Sequence, residues 1–415
     1  MLRRVGATLV LVVAGCSGAA DPTEAVGDAG DDVVADASLD TSSLPDSVAE
    51  GAPDSGGASD SVSDTGLLLD TGAATDSGCV DTCPATKGGV TWGCKKRFLY
   101  GLNYAWRNFG GDFGGIAKWS QKGVAANLAA YDADLADMRA HGVSVVRWWM
   151  FPEFRGEGVT VDGSGTATGL GATTLADLSA AIDLAEKHDL YLMLTPFSFD
   201  GFRPARTTAG LFVPSLQPMA VDAARRTALL EKVIRPIAKA IAAHKHRDRV
   251  MSWDIINEPE WAIKGTDAYG DPPFEPNAEL TAITHPQMST FIADVVTVLR
   301  AESTAKISVG AAAFKWARAW SKIDQDFYQF HMYGWIDTYW PYSKKPADFG
   351  LGDKPLVMGE FPLGPLNATP FAKVLESWYA NGYAGAMAWQ YGEAKPTELA
   401  DVKAFAALHP CETSL

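Results

Sequence analysis

The chain has 415 residues, of which 47% are hydrophobic and 20% charged, and its formal net charge is −15. Residues 17–78 hold 12 Asp and 2 Glu without any Lys or Arg, and two arginines precede them, so residues 79–415 carry a net charge near −3. This remainder is long enough to bury a sizeable core. Because it lacks the basic surface that nucleic acids require, we expect no nucleic-acid partner.

Residues 1–15 are typical of an export signal. Two arginines precede the apolar run ATLVLVVAG, which is too short to span a bilayer as a permanent helix. Val13, Ala14 and Gly15 stand directly before Cys16 and resemble the lipobox of bacterial lipoproteins, which implies cleavage before Cys16 and lipid on its thiol. An ordinary secretory signal is the alternative. Either reading predicts an extracytoplasmic protein, at the bacterial cell envelope if lipid-anchored or else secreted, with this anchor as its only membrane contact.

Residues 16–78 begin with the lipidated cysteine and continue in Asp, Ser, Gly, Ala, Thr and Pro, without aromatic residues or periodicity. Such a segment cannot bury enough apolar surface to offset its chain entropy. We therefore expect a disordered acidic tether, followed by one folded domain over residues 79–415.

The other cysteines are Cys79, Cys83, Cys94 and Cys411. An even number in an exported protein favours disulfides, and three pairings are open. We expect Cys411 to pair with one of the N-terminal three. Zinc is the competing interpretation, but the first three lack a nearby histidine and the fourth lies more than 300 residues away. We predict neither a metal nor another cofactor.

Two helix-then-strand units follow along the folded part. Apolar residues at helical spacing predict a helix that ends near Gly142, and the same offsets recur after the capping candidates Thr173 and Thr174. The positions in question are Leu128, Tyr131, Leu135 and Met138, then Leu175, Leu178, Ile182 and Ala185. Repetition of such units indicates a parallel sheet.

Eight strands are predicted. They are FLYGLNY (98–104), VSVVRWW (143–149), LYLMLTPF (190–197), VMSWDII (250–256), KISVGAA (306–312), FYQFHMY (327–333), PLVMGEF (355–361) and GAMAWQY (385–391). Eight strands close a (β/α)8 TIM barrel, an α/β fold. A doubly wound open sheet is the alternative, but NYAWRNFGGDFGG after the first strand lacks the glycine spacing of a phosphate-binding turn.

Two glutamates lie at predicted strand ends. Glu258 follows Asn257 after the fourth strand, and Glu360 ends the seventh. The carboxyl ends of barrel strands meet at one mouth. A glycosidic bond held between two carboxyl groups can be cleaved when one protonates the leaving oxygen and the other attacks or activates water. The pair therefore predicts a glycosidase.

Four motifs carry a more specific resemblance. WDIINEP, FHMY, PLVMGEF and MAWQY, in this order over residues 95–400, resemble the clan of retaining (β/α)8 glycoside hydrolases that includes the family 5 cellulases and mannanases. The resemblance implies that Glu258 is the general acid/base and Glu360 the nucleophile. A retaining mechanism places their carboxyl groups about 5–5.5 Å apart.

Position near strand ends and the same resemblance together suggest supporting residues. Arg147 is expected to keep Glu360 ionised, Tyr333 to donate to the same carboxylate, and Asn257 to bind the sugar 2-hydroxyl. His331 reaches the sugar or the catalytic network, or is a hydrogen-bonded barrel histidine without substrate contact. Further substrate-binding candidates are Trp389 as the floor of the cleft, with core filler as its alternative, and Trp106 and Trp261.

Several acidic residues near strand ends are not assigned to catalysis. Glu153, Asp200 and Glu393 are read as rim residues. The chain also departs from many family 5 members because LTPFSFD, at the end of the third strand, lacks their histidine. This departure leaves the exact family and the sugar preference open.

The predicted function is hydrolysis of a β-linked polysaccharide or oligosaccharide, either β-glucan or β-mannan, by double displacement. We expect a monomer. A non-catalytic carbohydrate-binding barrel is the alternative from another class, and a metal-dependent barrel hydrolase is a second one. Binding alone requires no paired acids, and the histidines show no strand-end pairing typical of a metal site.

Overall fold

The computed structural model describes residues 80–83, 86–334 and 344–415. The predictions for the signal segment, Cys16, the tether and Cys79 lie outside these residues. Within the described ranges, no helix is long and apolar enough to cross a membrane.

Eight parallel strands form a closed barrel, as predicted. Each strand pairs with the next along the chain, and the last pairs with the first, so the sheet has no free edge. The barrel strands are β1 Leu99–Asn103, β2 Val145–Trp149, β3 Tyr191–Thr195, β4 Val250–Asn257, β5 Lys306–Ala311, β6 Tyr328–His331, β7 Leu356–Glu360 and β8 Gly385–Ala388.

Helices surround the barrel on the outside. They are α1 Leu128–Ala140, α2 Thr174–Lys187, α3 Gln217–Val221, α4 Ala223–Leu229, α5 Arg235–Ala243, α6 His285–Glu302, α7 Phe371–Ala380 and α8 Pro396–Leu408. A π-helical turn, Leu230–Ile234, joins α4 to α5. Single 3₁₀ turns are Ala117–Trp119, Ala125–Asn127, Phe199–Phe202, Arg247–Arg249, Pro259–Ala262, Phe314–Trp316, Pro346–Phe349 and Tyr391–Glu393.

The first predicted helix occurs as α1. Tyr131, Leu135 and Met138 are fully buried, whereas Leu128 at the helix start is 46% exposed. Gly142 has a φ of +83°, a conformation that glycine adopts without steric cost just after a helix. The periodic residues therefore mark the face that packs on the barrel, except in the first turn.

The second predicted helix occurs as α2, and the expected cap is only partly right. Thr173 occupies the N-cap position, but its hydroxyl donates to Asp177 Oδ2 over 3.0 Å and does not cap a backbone N–H. Thr174 is already the first helical residue, and its hydroxyl donates to the carbonyl of Gly158 over 2.9 Å. The Thr173 hydroxyl also donates to the carbonyl of Gly114 over 3.2 Å, so both threonines fasten the helix start to preceding segments.

Several short strands occur in addition to the eight barrel strands. Within the described residues, three antiparallel hairpins and two short parallel pairings occur besides the barrel pairings. The hairpins pair Val90–Trp92 with Lys95–Arg97, Val159–Val161 with Ala167–Leu170, and Arg206–Thr208 with Leu211–Val213; Phe197–Ser198 pairs with β4, and Ile263–Lys264 with Ile283–Thr284.

A disulfide joins the two ends of the domain. Cys83 bonds Cys411, 328 residues away, which confirms the expectation that Cys411 pairs with an N-terminal cysteine. Cys94 is also disulfide-bonded. Arg97 reinforces the junction, because its guanidinium contacts Asp81 at 2.7 and 2.8 Å and its Nε donates to the carbonyl of Ser414 over 2.8 Å.

The barrel interior changes from apolar to polar along the strands. Leu99 of β1 and Val145 of β2 belong to one buried apolar cluster that includes residues of six barrel strands. Alternate residues of a strand share a face. Asn103 and Arg147, four and two residues further on, therefore lie on the same side as these apolar residues but nearer the carboxyl ends of the strands.

Candidate active site

Glu258 lies just past the end of β4 in a strained conformation. Its φ and ψ are 48° and 50°, in the left-handed region, and its N–H donates to the carbonyl of Gly310 on β5 over 2.6 Å. Pro259, which begins the following 3₁₀ turn, disfavours a right-handed conformation of the residue before it. A left-handed non-glycine residue costs about 1–3 kcal/mol. The Asn-Glu-Pro sequence thus turns the chain sharply and holds the carboxyl group at the barrel mouth.

Glu360 is the last residue of β7. Its Oε1 accepts a hydrogen bond from Arg147 Nη1 over 2.6 Å, and its Oε2 accepts one from the Tyr333 hydroxyl over 3.1 Å. Both contacts are those expected from the sequence. The carboxylate is therefore fixed by one cationic and one neutral donor.

Glu258 and Glu360 meet at His331, the last residue of β6. His331 Nδ1 lies 2.8 Å from Glu258 Oε1 and 3.5 Å from Glu360 Oε1. One oxygen of each carboxyl group and the histidine nitrogen all lie within 4.8 Å of one another, and all three side chains are buried. The fold thus brings together two acids that are 102 positions apart in the numbering of the chain.

The surroundings of the three groups separate their protonation states. Burial, and then the charge of Glu360, raise the pKa of Glu258 well above its usual value. Burial also raises the pKa of Glu360, but the Arg147 charge and hydrogen bond oppose the rise. Burial, helped by Arg147, holds the pKa of His331 well below its usual value, which leaves the imidazole neutral. Glu258 is therefore the better proton holder and Glu360 the better anion.

Arg147 serves more acceptors than the sequence indicated. Its Nη1 donates to Asn103 Oδ1 over 2.7 Å and its Nη2 to Asn257 Oδ1 over 2.8 Å, while Asp254 Oδ2 lies 2.8 Å from Nε and 2.6 Å from Nη2. Sequence reasoning missed Asn103 and Asp254. Both are polar residues inside mostly apolar strands, which makes them unusual but does not identify Arg147 as their partner.

The arrangement at Asn257 suits a sugar hydroxyl. Its side chain is almost fully buried, and its oxygen is already occupied by Arg147. An amide whose oxygen accepts in this way has its NH₂ group left for donation. The expected hydrogen bond to a substrate hydroxyl is therefore compatible with the amide orientation.

Three tryptophans form one cluster at the mouth. Trp389 follows β8 and is partly exposed, and its ring centroid lies 5.7 Å from that of Trp106 and 5.4 Å from that of Trp149. Trp106 is also partly exposed, whereas Trp149 is buried. Trp389 therefore has an exposed portion, so it is not simple core filler, and Trp106 extends the same aromatic surface.

Trp261, expected as a substrate-binding candidate, lies in the turn after β4 beside Glu258. Its indole Nε1 donates to Glu258 Oε2 over 2.9 Å, and its ring meets Trp316 edge-on at 5.4 Å. It contacts the acid directly. Its position indicates support of Glu258 in addition to any sugar contact.

A third glutamate, Glu260, was not singled out from the sequence. It is fully buried and accepts from Trp320 Nε1 over 2.6 Å and from the Ala312 N–H over 3.0 Å. Burial raises its pKa to about 7. Its close spacing to Glu258 in NEPE was the available signal, and its hydrogen bonds anchor the turn that carries Glu258.

The rim acids divide into buried and exposed residues. Glu153 is buried and forms ion pairs with Arg155 and Arg206. Asp200 accepts from the Ser198 hydroxyl over 2.9 Å, and burial together with the Glu153 charge raises its pKa to about 6. These residues occupy the rim after β2 and β3.

Glu393 is exposed and accepts from Gln390 Nε2 over 2.8 Å. It thus lies on the rim after β8, as expected. Near the end of β3, where many family 5 members carry a histidine, this chain has Phe197, Ser198 and Asp200, all buried.

One set of side chains in the described ranges has the composition of a metal site. Glu258, His331 and Glu360 each offer a ligand atom within 4.8 Å of the others. They are also the candidate catalytic groups, and Arg147 already contacts Glu360. A cation held there would therefore compete with the proton and with substrate.

Comparison with known proteins gives consistent relatives. No family model matches the chain. The mannan endo-1,4-beta-mannosidase of Mytilus edulis is 25% identical over 324 residues, which cover 70% of this chain and 83% of that protein. The mannan endo-1,4-beta-mannosidase of Cryptopygus antarcticus is 23% identical over 351 residues, covering 72% and 82%.

Solved structures confirm the barrel. The beta-mannanase of the blue mussel Mytilus edulis superposes with a TM-score of 0.62 at 22% identity, covering 75% of this chain and 92% of that chain. The beta-1,4-D-mannanase of Cryptopygus antarcticus gives 0.64 at 21% identity, covering 77% and 93%. The endo-1,4-beta-mannanase of Eisenia fetida gives 0.63 at 19%, with the same coverage.

Proposed function

We propose that this glycoside hydrolase cleaves β-1,4-linked mannan by double displacement, with Glu258 as general acid/base and Glu360 as nucleophile. One observation carries the proposal: oxygens of the two carboxyl groups lie within 4.8 Å of each other at the mouth of the barrel. Retaining glycosidases hold the two groups about 5–5.5 Å apart, whereas inverting enzymes leave about 6.5–9.5 Å for a water molecule. A separation of this size supports the retaining alternative.

In the first step, Glu360 attacks the anomeric carbon while Glu258 transfers its proton to the leaving glycosidic oxygen. The carbon–oxygen bond to the leaving sugar breaks, and a glycosyl ester of Glu360 forms. Arg147 and Tyr333 hold the attacking carboxylate, and the negative charge that they stabilise is neutralised as the ester forms.

In the second step, Glu258 acts as a base. Esterification removes the negative charge of Glu360, which had raised the pKa of Glu258, so Glu258 becomes a weaker proton holder after it has given up its proton. It then accepts a proton from the water that attacks the anomeric carbon. The bond between that carbon and Glu360 breaks, so the sugar leaves with the water oxygen and Glu360 regains its carboxylate. The change in one carboxyl group thus prepares the other for its second role.

Mannan is the favoured polymer because of the relatives. Both curated relatives are mannan endo-1,4-beta-mannosidases, at 25% and 23% identity. The sequence alone had left glucan and mannan open. The partly exposed Trp389 and Trp106 offer an aromatic surface on which the apolar face of a pyranose can pack.

The non-catalytic alternative is less well supported. A binding module has no need for two acids that converge on one histidine, or for an arginine and a tyrosine that both donate to one of them. In this chain all five groups, Arg147, Glu258, His331, Tyr333 and Glu360, are buried and joined by hydrogen bonds or close contacts.

Activity on a substrate panel tests the proposal. Reducing-sugar release is measured on linear β-1,4-mannan, glucomannan, mixed-linkage β-glucan, carboxymethyl cellulose and xylan, with Glu258→Ala and Glu360→Ala as variants. We expect mannan to be cleaved fastest and both variants to be inactive. Binding of mannan without any release by the wild type would refute catalysis.

The stereochemistry is tested separately. Proton NMR of the first product distinguishes the anomers before they equilibrate. The β-anomer is expected because two inversions restore the original configuration. Initial formation of the α-anomer would refute double displacement while leaving hydrolysis itself intact.

For the cellular location, we propose export with lipid attachment at Cys16; for the oligomeric state, we propose a monomer. The proposal of export and lipidation rests on the signal-like N-terminus and on the small residues before Cys16. Incorporation of labelled palmitate into the wild type but not into Cys16→Ser tests the anchor. Light scattering of the domain tests the monomer, and a stable dimer would refute it.

A further inference from the structure

A second carboxylate competes with the nucleophile for Arg147. Asp254 lies on β4, is fully buried, and its Oδ2 is 2.8 Å from Arg147 Nε and 2.6 Å from Nη2. The Thr195 hydroxyl donates to the same oxygen over 3.2 Å. Glu360 receives Nη1 of the same guanidinium over 2.6 Å. The arginine therefore stands between two buried acids, of which only Glu360 lies at the barrel mouth beside Glu258.

Glycine on the neighbouring strand makes room for this pair. A Cβ atom built on Gly310 of β5 would lie 2.9 Å from Asp254 Oδ2 and 3.0 Å from Arg147 Nη2. Real Cβ atoms essentially never come closer than 3.0 Å to another heavy atom, so a side chain here would displace the ion pair. The polar layer is thus packed against bare backbone, which leaves Arg147 little freedom to turn.

We propose that Asp254 is a positioning residue for the reaction. It fixes the Arg147 guanidinium and compensates part of its positive charge. The negative charge of the Glu360 carboxylate is therefore only partly compensated by Arg147, and Glu360 remains a reactive nucleophile. This inference rests on the proposed function, in which Glu360 attacks the sugar. Asp254 itself touches neither the substrate nor the reacting atoms.

The physical reason is electrostatic. An arginine paired with one carboxylate alone stabilises that anion strongly and lowers both its basicity and its reactivity. A second anion on the same guanidinium opposes this stabilisation, and the Asp254 charge indeed raises the pKa of Glu360. In the described ranges, the titratable groups around Glu360 include Arg147 from β2, Asp254 from β4, Glu258 just after it, His331 from β6, and Tyr333 just after it.

The test is Asp254→Asn in the full chain. The variant retains an oxygen acceptor for Arg147 but loses the charge. We expect KM for mannan to stay within about twofold, kcat to fall about tenfold, and the acidic limb of the kcat/KM profile to move down by about one pH unit. The limb moves down because Glu360 ionises more readily once the neighbouring anion is absent.

Ser252→Ala is the matched control. Ser252 lies on the same strand, two residues before Asp254, and is fully buried, but it is uncharged. Its removal is expected to leave the acidic limb in place. A shift of equal size in this variant would show that any change inside the barrel moves the limb, and would overturn the inference.

A merely structural role gives a different result. In that case Asp254→Asn lowers the melting temperature or the active fraction while the acidic limb stays where it was, and the inference is overturned. If Asp254→Asn does not fold, Thr195→Val decides the question. Burial raises the pKa of Asp254, and the Thr195 hydroxyl is one of the groups that oppose this rise. Its removal is therefore expected to give a smaller downward shift, and an unchanged limb overturns the inference.

Failure of the proposed function is distinguishable from failure of this inference. A wild-type enzyme that releases no sugar refutes the function. An active wild type whose Asp254→Asn variant keeps the same acidic limb refutes only the positioning role.

Discussion

The indole nitrogen of Trp261 donates a hydrogen bond to Oε2 of Glu258 over 2.9 Å. The other oxygen of this carboxyl group lies 2.8 Å from His331 Nδ1, so each oxygen of the acid has a defined neighbour. From the sequence, Trp261 was expected only as a weak sugar-binding candidate. Trp261 also influences Glu258 itself, because its N–H donor favours the ionised carboxyl group and thus opposes the rise in the pKa of the acid.

Replacement of Trp261 by Phe is therefore expected to shift the alkaline limb of the pH profile upward. The variant loses the N–H donor while most of the aromatic surface remains, so Glu258 keeps its proton to higher pH. We expect a shift of about half to one pH unit. Initial rates on mannan between pH 4 and about pH 10 measure it.

Trp316→Phe is the control for this substitution. Trp316 packs against Trp261, but its own indole N–H donates to the carbonyl of Pro272 over 3.1 Å. It should leave the alkaline limb unchanged. An unchanged limb in Trp261→Phe would show that the hydrogen bond does not influence the acid.

Arg147→Lys is expected to lower kcat/KM by about 100- to 1000-fold. The guanidinium serves Asn103, Asp254, Asn257 and Glu360 at once. A lysine ammonium has three donors and no planar fork, so it cannot reproduce this set of contacts. Steady-state kinetics on mannan measure the loss, and circular dichroism checks that the barrel is intact. Retention of more than a third of the wild-type kcat/KM would contradict a catalytic role for the arginine.

The free energy of unfolding of Asp200→Asn, relative to that of the wild type, is expected to increase as the pH rises. The folded state raises the pKa of Asp200 to about 6 through burial and the Glu153 charge. Below the ordinary aspartate pKa of about 4, both folded and unfolded chains are protonated; above it, the unfolded chain ionises first, so the native state loses stability until about pH 6. Asparagine does not ionise and avoids this loss.

Urea unfolding at about pH 5 and about pH 7.5 measures the effect of Asp200→Asn. The difference in unfolding free energy, variant minus wild type, is expected to increase by roughly 1 kcal/mol between the two values. Glu393→Gln, at an exposed position on the same rim, should show no such change. An equal difference at both pH values would show that Asp200 does not carry the raised pKa.

Exhaustive chelation is expected to leave activity on mannan unchanged. In the proposed mechanism the proton donor and the nucleophile are both glutamate side chains, and no step requires a metal. Rates before and after dialysis against a chelator test this expectation. A loss of activity that a divalent cation restores would favour the metal-dependent alternative and would point to the set formed by Glu258, His331 and Glu360.

Much of the architecture was predictable because hydrophobic periodicity, and the residues that end helices and strands, are local properties of the sequence. All eight predicted strands exist, most with ends within one or two residues of those predicted. Two-residue alternation and strand length are set by the residues themselves. The first turns of the helices were less predictable. Leu128 in α1 and Leu175 in α2 fit the helical period but are 46% and 42% exposed, because the start of each helix projects beyond the surface on which the helix packs.

Whether the acids and their partners could be predicted depended on where they lie in the strands. Glu258 and Glu360 could be found because each ends an apolar strand, where a charged residue gains nothing from local structure. Asp254 and Asn103 were missed, because their importance comes from contact with Arg147, which belongs to a different strand. The sequence itself gives no distance between side chains that belong to different strands.

The linear chain by itself determined that strands and helices alternate, that eight strands are present, and that two glutamates stand at strand ends, because each of these depends on neighbouring residues alone. Only the closed barrel decided that the two acids share His331 and that Arg147 is divided between Asp254 and Glu360, whereas the contact of Trp261 with Glu258 depends on the local turn after β4. The contacts of His331 and Arg147 exist because closure brings the carboxyl ends of distant strands within hydrogen-bonding range inside a buried, low-dielectric mouth.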